Sequence, residues 1–262
     1  ASWSEALTSP QDALYVIAPC EIWVAKGIYY PDEDSLRTAD DPAVAFHLKT
    51  GVGLYGGFAG TEIARNQRNW LLNLTVLSGD IDGNDQTDPT GVVTTTTGIT
   101  GTNSYHVLTG SSVIETARLD GFTVTGGSAI GDYAVSNGGG MYIANGSPAL
   151  ENVIFSGNQA DLGGGMYNET SSPTLTNLTF SGNSAFEGGG MYNTSSSPML
   201  TNVAFSSNSA FMSGGGMLNS MYSQPTLMNV TFSGNQVEYY GGGMFNGSWS
   251  SPVLTDVTFS DN

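Results

Sequence analysis

The chain has 262 residues and a formal net charge of −17, from six Lys or Arg against 23 Asp or Glu, and the basic residues all precede residue 119. That balance argues against nucleic acid and anionic membrane surfaces as partners, since both are polyanions that need a basic face. The single cysteine, Cys20, rules out an internal disulfide, and no apolar run is long enough to span a bilayer as a helix, so no membrane insertion by this segment is expected.

In chain order, residues 1–118 read as irregular short strands with a cap and long excursions at 30–46, 59–72 and 82–104. The opening Ala1-Ser2-Trp3 suits a processed or trimmed chain. Cys20 stands in the apolar run Val16–Val24 and is expected as a buried, inert thiol. His47 (in Ala45–Leu48) and His106 (in Ser104–Leu108) fall on strands far apart in sequence, with no nucleophile motif beside them, and read as structural.

The sharpest local motif is Asp80-x-Asp82-x-Asn84-Asp85-x-x-Asp88, five oxygen-bearing side chains in nine residues. Calcium takes about six to eight oxygens, and a D-x-D-x-N loop turns alternate side chains toward one centre. The loop departs from an EF-hand, with Asp85 where the invariant Gly belongs and Gly91 where a bidentate Glu belongs. A Ca²⁺ site at Asp80, Asp82, Asn84, Asp85 and Asp88 therefore stands beside a simpler reading, an acidic surface loop leading into the Thr-rich run 90–102.

From residue 119 the texture changes. Gly-Gly-Gly-Met-(Tyr/Leu/Phe) occurs five times, beginning at 138, 163, 188, 214 and 241, and a motif like Ser-Pro-x-Leu-Thr-Asn-Val-Thr-Phe-Ser-Gly-Asn follows each copy. The alternation in Leu175–Phe180, broken at Asn177, is period-two strand patterning around a turn residue. No helix of useful length fits between Gly triplets and Ser-Ser-Pro runs. Short strands and tight turns cannot bury an apolar face alone, so each copy must stack on the next at roughly 4.8 Å per coil. The fold class is all-β, a parallel β-helix with coils of about 25 residues and roughly ten coils in one continuous solenoid.

Equivalent residues then form columns. Phe155, Phe180, Phe205, Phe232 and Phe259 should fill the core; Asn152, Asn177, Asn202 and Asn229, and Asn158, Asn183, Asn208 and Asn235, should form structural columns. Asn tolerates the left-handed backbone of a corner, and its amide bonds to the Asn above and below. Extra residues near Met212–Ser213, Met221–Ser223 and Val237–Tyr240 are expected as loops. Asp161 and Glu187, just before successive Gly triplets, are the nearest approach to a pair of facing carboxylates. Tyr142, Tyr167, Tyr192 and Phe245 form either an outward stripe for binding or a stack that stabilises the solenoid.

The pairing of Gly-Gly-Gly-Met-Tyr with Phe-Ser-Gly-Asn resembles the GGA(I/L/V) and FxxN repeats of the chlamydial polymorphic outer-membrane proteins, and bacterial right-handed parallel β-helix repeat proteins more broadly. The regular resemblance covers 119–262; Glu21–Tyr29, Gly51–Phe58 and Leu77–Asn84 are similar to the leader of the second group. The resemblance implies a right-handed coil and, with a composition rich in Gly, Ser, Thr and Asn and poor in Lys, a secreted or cell-surface bacterial location.

Function follows from what the repeat leaves out. No coil gathers titratable groups, so a structural or adhesin-like scaffold without catalytic activity is expected, its partner a host or neighbouring cell surface, a glycan or itself, and its only cofactor, if any, Ca²⁺. A carbohydrate-active enzyme, lyase or glycoside hydrolase, would need its site in the irregular half, since no Lys or Arg follows Arg118. The third reading is an extracellular filament subunit built by end-to-end stacking, because Asn262 closes a full repeat without a change of texture; a fragment of a longer chain explains the same ending.

Overall fold

The computed structural model describes residues 3–15, 18–33, 39–131 and 135–262. Ala1 and Ser2, Val16 at the head of the first apolar run, and Arg37 in the 30–46 excursion lie outside the described residues.

Nearly all regular structure is parallel strand, in sheets of 13, 7 and 5 strands. In a regular coil the chain runs through four legs, illustrated by Met166–Glu169, Thr174–Thr176, Thr179–Ser181 and Ser184–Glu187. The second and third legs share the long sheet, the first legs make the 7-stranded sheet and the fourth legs the 5-stranded one. Among the described residues the second leg recurs at 20–25, 52–58, 118–120, 149–151, 174–176, 199–206, 226–233 and 253–260, a stack of eight. That is fewer than the length divided by the repeat suggests, because the N-terminal half diverts residues into excursions between legs.

Pairing is in register through the regular coils: Leu150, Leu175, Leu200 and Leu227 lie over one another, as do Phe155, Phe180, Phe205 and Phe232. Neighbouring Phe rings stand 4.8–4.9 Å apart at interplanar angles of 5–7°, so the coil rise sets the stacking distance. Met141, Met166, Met191 and Met217 point inward and are fully buried. Each buried Phe contributes about 2–3 kcal/mol from apolar surface removed from water.

The two expected Asn columns have different causes. Asn152, Asn177, Asn202 and Asn229 take φ between +53° and +57° at the corner between second and third legs, where each amide donates to the residue one coil back. In the second column the left-handed residue is the preceding Gly157, Gly182, Ser207 or Gly234, and the Asn is not left-handed. Asn158, Asn183, Asn208 and Asn235 are instead buried, each Nδ2 donating to the next Asn Oδ1 at 2.7–2.9 Å. The same Oδ1 accepts the backbone N–H of the preceding Asn, as Asn183 Oδ1 does from Asn158. The second Nδ2 proton of Asn183 goes to the Phe155 carbonyl at 2.9 Å. This satisfies every polar atom of the amide, which a buried polar group requires.

The insertion at Met212–Ser213 is not a loop. It is absorbed in the strand Ser209–Ser213 as a bulge, where the register against Ala185 and Glu187 slips by one residue. A glycine triplet is needed because its neighbours are backbone: a Cβ on Gly139 would lie 2.3 Å from the Gln159 carbonyl oxygen.

At the N-terminal end, the helix Pro10–Ala13, capped by Ser9 accepting from the Gln11 N–H, sits at the first coil and Leu14 packs on the core. The excursion 82–104 runs along the solenoid: the Val93 carbonyl accepts from Thr125 Oγ1 and Ser156 Oγ. A Cβ on Gly157 would stand 2.2 Å from Val93 O and one on Gly182 2.1 Å from Thr94 O, whereas the next coil, beyond the excursion, carries Ser207 at that position.

Candidate functional site

The acidic loop is held by its own side chains. Asp80, itself buried, accepts the N–H of Asn84 at 2.9 Å and of Asp85 at 3.2 Å. Asp82 Oδ2 accepts from Asn84 Nδ2 and from the Thr102 N–H, both at 2.8 Å. Asp85 accepts the Thr100 N–H at 2.7 Å and Asn103 Nδ2 at 2.8 Å. Asp88 caps the next turn through the N–H groups of Thr90 and Val92. The structure thus brings Asp80, Asp82, Asn84 and Asp85 into one network and leaves Asp88 in a separate turn. Among the described residues, no group of three or more His, Cys, Asp or Glu side chains is placed to hold a metal ion.

Environment separates two of these carboxyls. Burial, reinforced by the charges of Asp80 and Asp82, pushes Asp85 up despite its bonds from Thr100 and Asn103. Asp88 is only slightly desolvated, and the donors from Thr90, Val92 and Gly91 outweigh that and hold it down.

Sequence reading missed a second constellation. Arg65, Arg68 and Arg118 converge on the outer face of the second legs, where Glu21, Tyr55, Asp120 and Glu151 project. Arg65 pairs with Glu21, Arg118 pairs with Glu151 at 3.1 Å, and the guanidinium of Arg65 lies 4.6 Å from the Tyr55 ring centroid. Arg68 is the least exposed of the three: it meets Asp120 Oδ2 at 2.5 Å and donates to the carbonyls of Gly56 and Asp120. It ties the 59–72 excursion to the coil wall, and Asp120 takes a further bond from Asn152. Beside this cluster a shallow groove of about 330 Å³ is lined by Cys20, Glu21, Tyr55, Thr116 and Arg118 among others; Glu21 is its one acidic lining residue. The signal was available in the confinement of all arginines to the first 118 residues, but only stacking brings positions 21, 65 and 118 together.

The Tyr column faces outward but is packed. Tyr142, Tyr167 and Tyr192 stack at 5.4–5.6 Å, His106 lies 5.3 Å below Tyr142, and Tyr167 is only 7 % exposed. This geometry favours stacking over a binding stripe for Tyr142, Tyr167 and Tyr192, while Leu218 separates Phe245 from that stack and the Phe245 ring meets Tyr240 instead. Burial raises the phenol pKa of all three tyrosines, with Glu169 adding to the effect at Tyr142 and Tyr167 and Glu187 at Tyr192. Burial likewise lowers His106 below the usual imidazole value despite its bonds to Gly138 and Asn137. Asp161 and Glu187 do not face one another: Asp161 accepts from the Gly131 N–H and Glu187 from Ser213 Oγ, each toward its own neighbour. Cys20 is partly exposed rather than buried, at the groove.

A third Asn ladder also went unread. Asn168, Asn193, Asn219 and Asn246 are linked Nδ2 to Oδ1 at 2.8 Å, one position after the Tyr column. It starts at Asn168, whose Oδ1 is buried without a partner because Ile143 occupies the coil before.

Comparison with known families agrees with this stacking. The model for "Right handed beta helix region" matches residues 97–262, which is 166 of the 262 residues. The chain belongs to the right-handed β-helix family. The match covers every regular coil and begins inside the 82–104 excursion. Neither the curated proteins nor the solved structures compared with the chain match it.

Proposed function

We propose that the chain is a non-catalytic β-helix scaffold, extracellular or on a cell surface, whose stacked coils hold a binding face at a fixed distance and orientation. One observation carries this reading: in the regular coils the recurrent buried amides and the Ser171–Ser196–Ser223–Ser250 hydroxyls are committed to their neighbours above or below. Catalysis needs groups whose protonation or charge is free to change at the reacting atoms, and ladders of neutral amides supply none. In the irregular half, the charged groups nearest a groove are held in ion pairs. The Lys-poor, Gly-, Ser-, Thr- and Asn-rich composition supports the extracellular assignment.

The test is to incubate the chain with a neutral β-glucan, xylan and polygalacturonate, with and without Ca²⁺, and to follow reducing ends and unsaturated uronate. No release above buffer is expected. Release that disappears in Glu21→Gln would replace this reading with an enzyme working in the groove at Glu21 and Arg118.

A further inference from the structure

One contiguous set of exposed rings lies on and just after the fourth legs, not on the Tyr column, whereas Tyr15, Tyr222, Trp249 and Phe259 are exposed elsewhere. Phe186, Phe211, Tyr239 and Tyr240 are 46–59 % exposed. They form one chain of contacts: Phe186 to Phe211 at 5.5 Å, Phe211 to Tyr239 at 5.6 Å, Tyr239 to Tyr240 at 6.4 Å, and Tyr240 to Phe245 at 6.1 Å. Phe186 and Phe211 sit in coils with a further coil on either side, so their exposure comes from pointing away from the stack.

Fold stability does not account for this band. The core columns repeat one residue type in coil after coil, but this outward column reads Ile130, Asp161, Phe186, Phe211 and Glu238 by register. It turns aromatic at Phe186 in a coil of ordinary length and at Phe211 beside the Met212 bulge, and Tyr239 and Tyr240 follow among the extra residues of the next coil. Contiguous exposed apolar surface on a folded protein marks an interaction site.

We infer that this aromatic band is a docking surface for a protein segment that carries apolar side chains flanked by Lys or Arg. The chemistry of the occupant follows from ring orientation and charge. Phe186 and Phe211 lie face to face at 27°, and Tyr239 meets Phe211 edge-on at 72°. The facing sides of Phe186 and Phe211 are thereby taken up within the band, whereas sugar binding and cation–π contacts use free faces. Ring edges and methylenes remain outward, which suits aliphatic side chains. Glu187 and Glu238 border the band, Asp161 stands one coil before Phe186 in the same column, and no Lys or Arg occurs anywhere in 119–262. An approaching cationic rim meets only negative charge, which sets orientation and raises the association rate. The inference rests on the scaffold reading, since it gives the solenoid a face to present.

The experiment measures binding of a short fluorescent peptide alternating Leu and Lys to the full chain by anisotropy, at low and high salt. A Leu/Glu peptide and a cello-oligosaccharide serve as competing probes. The Leu/Lys peptide is expected to bind, with affinity falling as salt rises, and Phe211→Ser combined with Tyr239→Ser should weaken it about tenfold or more. Phe211→Leu should retain most of the affinity, and unchanged thermal melts of the variants report that they fold. Absent binding, equal binding of the Leu/Glu peptide, or binding indifferent to the double substitution would each overturn the proposal. Oligosaccharide binding that the double substitution abolishes would replace it with a glycan site. These outcomes are separate from reducing-end release, which bears on the scaffold reading alone.

Discussion

The regular coils and the irregular coils share one long sheet but hold themselves together differently. Between 138 and 262 each coil contacts mainly its neighbours, and stability comes from in-register columns of Phe, Leu, Met and Asn. Between 20 and 118 the legs are separated by excursions that must be fastened at a distance, and much of the fastening is polar: Arg68 to Asp120, Asn103 Nδ2 to the Gly126 carbonyl, and the Val93 carbonyl to Thr125 and Ser156, while Asp85 and Glu62 brace their own excursions internally. A solenoid built only of nearest-neighbour contacts has stability that is close to a sum over repeats and interfaces. Excursions interrupt that sum, so charge is concentrated where the repeat is weakest.

The largest test of this contrast is Phe180→Ala. Phe180 is fully buried between Phe155 and Phe205, and its removal is expected to cost about 3–5 kcal/mol in urea unfolding. A loss below about 1 kcal/mol would mean that the columns are not the main source of stability. In the irregular half the counterpart is Arg68→Met, which strands the nearly buried Asp120 carboxylate and is expected to cost about 3 kcal/mol. Cleavage by protease should then appear within 59–72, and adding Asp120→Leu should recover much of the loss. If Arg68→Met alone is silent, the excursion is held by packing such as Trp70 against Gly57.

A smaller effect is a pH dependence that both titrating groups place in the irregular half. The folded state depresses the pKa of His106, chiefly by burial, so the unfolded chain binds the proton first. The stability linked to His106 is therefore fully present above the unfolded pKa of about 6.5 and is lost as pH falls through the folded value. His106→Gln should flatten that slope in thermal melts between neutral and mildly acid pH. Asp85 acts in the opposite sense: its raised pKa means that stability falls as pH climbs from the ordinary carboxylate value through the folded one. Asp85→Asn is expected to remove that decline, and an unchanged profile would place Asp85 in a solvated setting.

The smallest effect concerns Ca²⁺. The oxygens of Asp80, Asp82 and Asp85 already accept N–H donors, so a metal must displace those bonds. Millimolar Ca²⁺ is expected to move the melting temperature by less than about 2 °C. A larger rise that Asp82→Asn abolishes would make this loop a calcium site and the irregular half the functional one.

The repeat was legible because the residues in a column are copies of one another: Phe155 predicts Phe180, and Asn177 predicts a corner at Asn202. Columns that change identity were not legible. Tyr142, Tyr167 and Tyr192 recur and draw attention, yet they are packed, while Phe186 and Phe211 recur in only two copies, as Asn-Ser-Ala-Phe, and are exposed together with Tyr239. The Asn168 ladder shows the middle case, a recurrence present in the sequence whose burial depends on which way the Met-Tyr leg turns.

Sequence alone determined the solenoid, its period, its core columns and the absence of basic residues beyond Arg118, because stacking at one coil rise forces like residues onto like. Tertiary structure decided which outward column is bare, which carboxylates are already bonded, and that Glu21, Arg65 and Arg118 share a face. Those outcomes depend on where excursions and bulges fall across coils, and contacts between residues tens of positions apart leave no periodic trace in the chain.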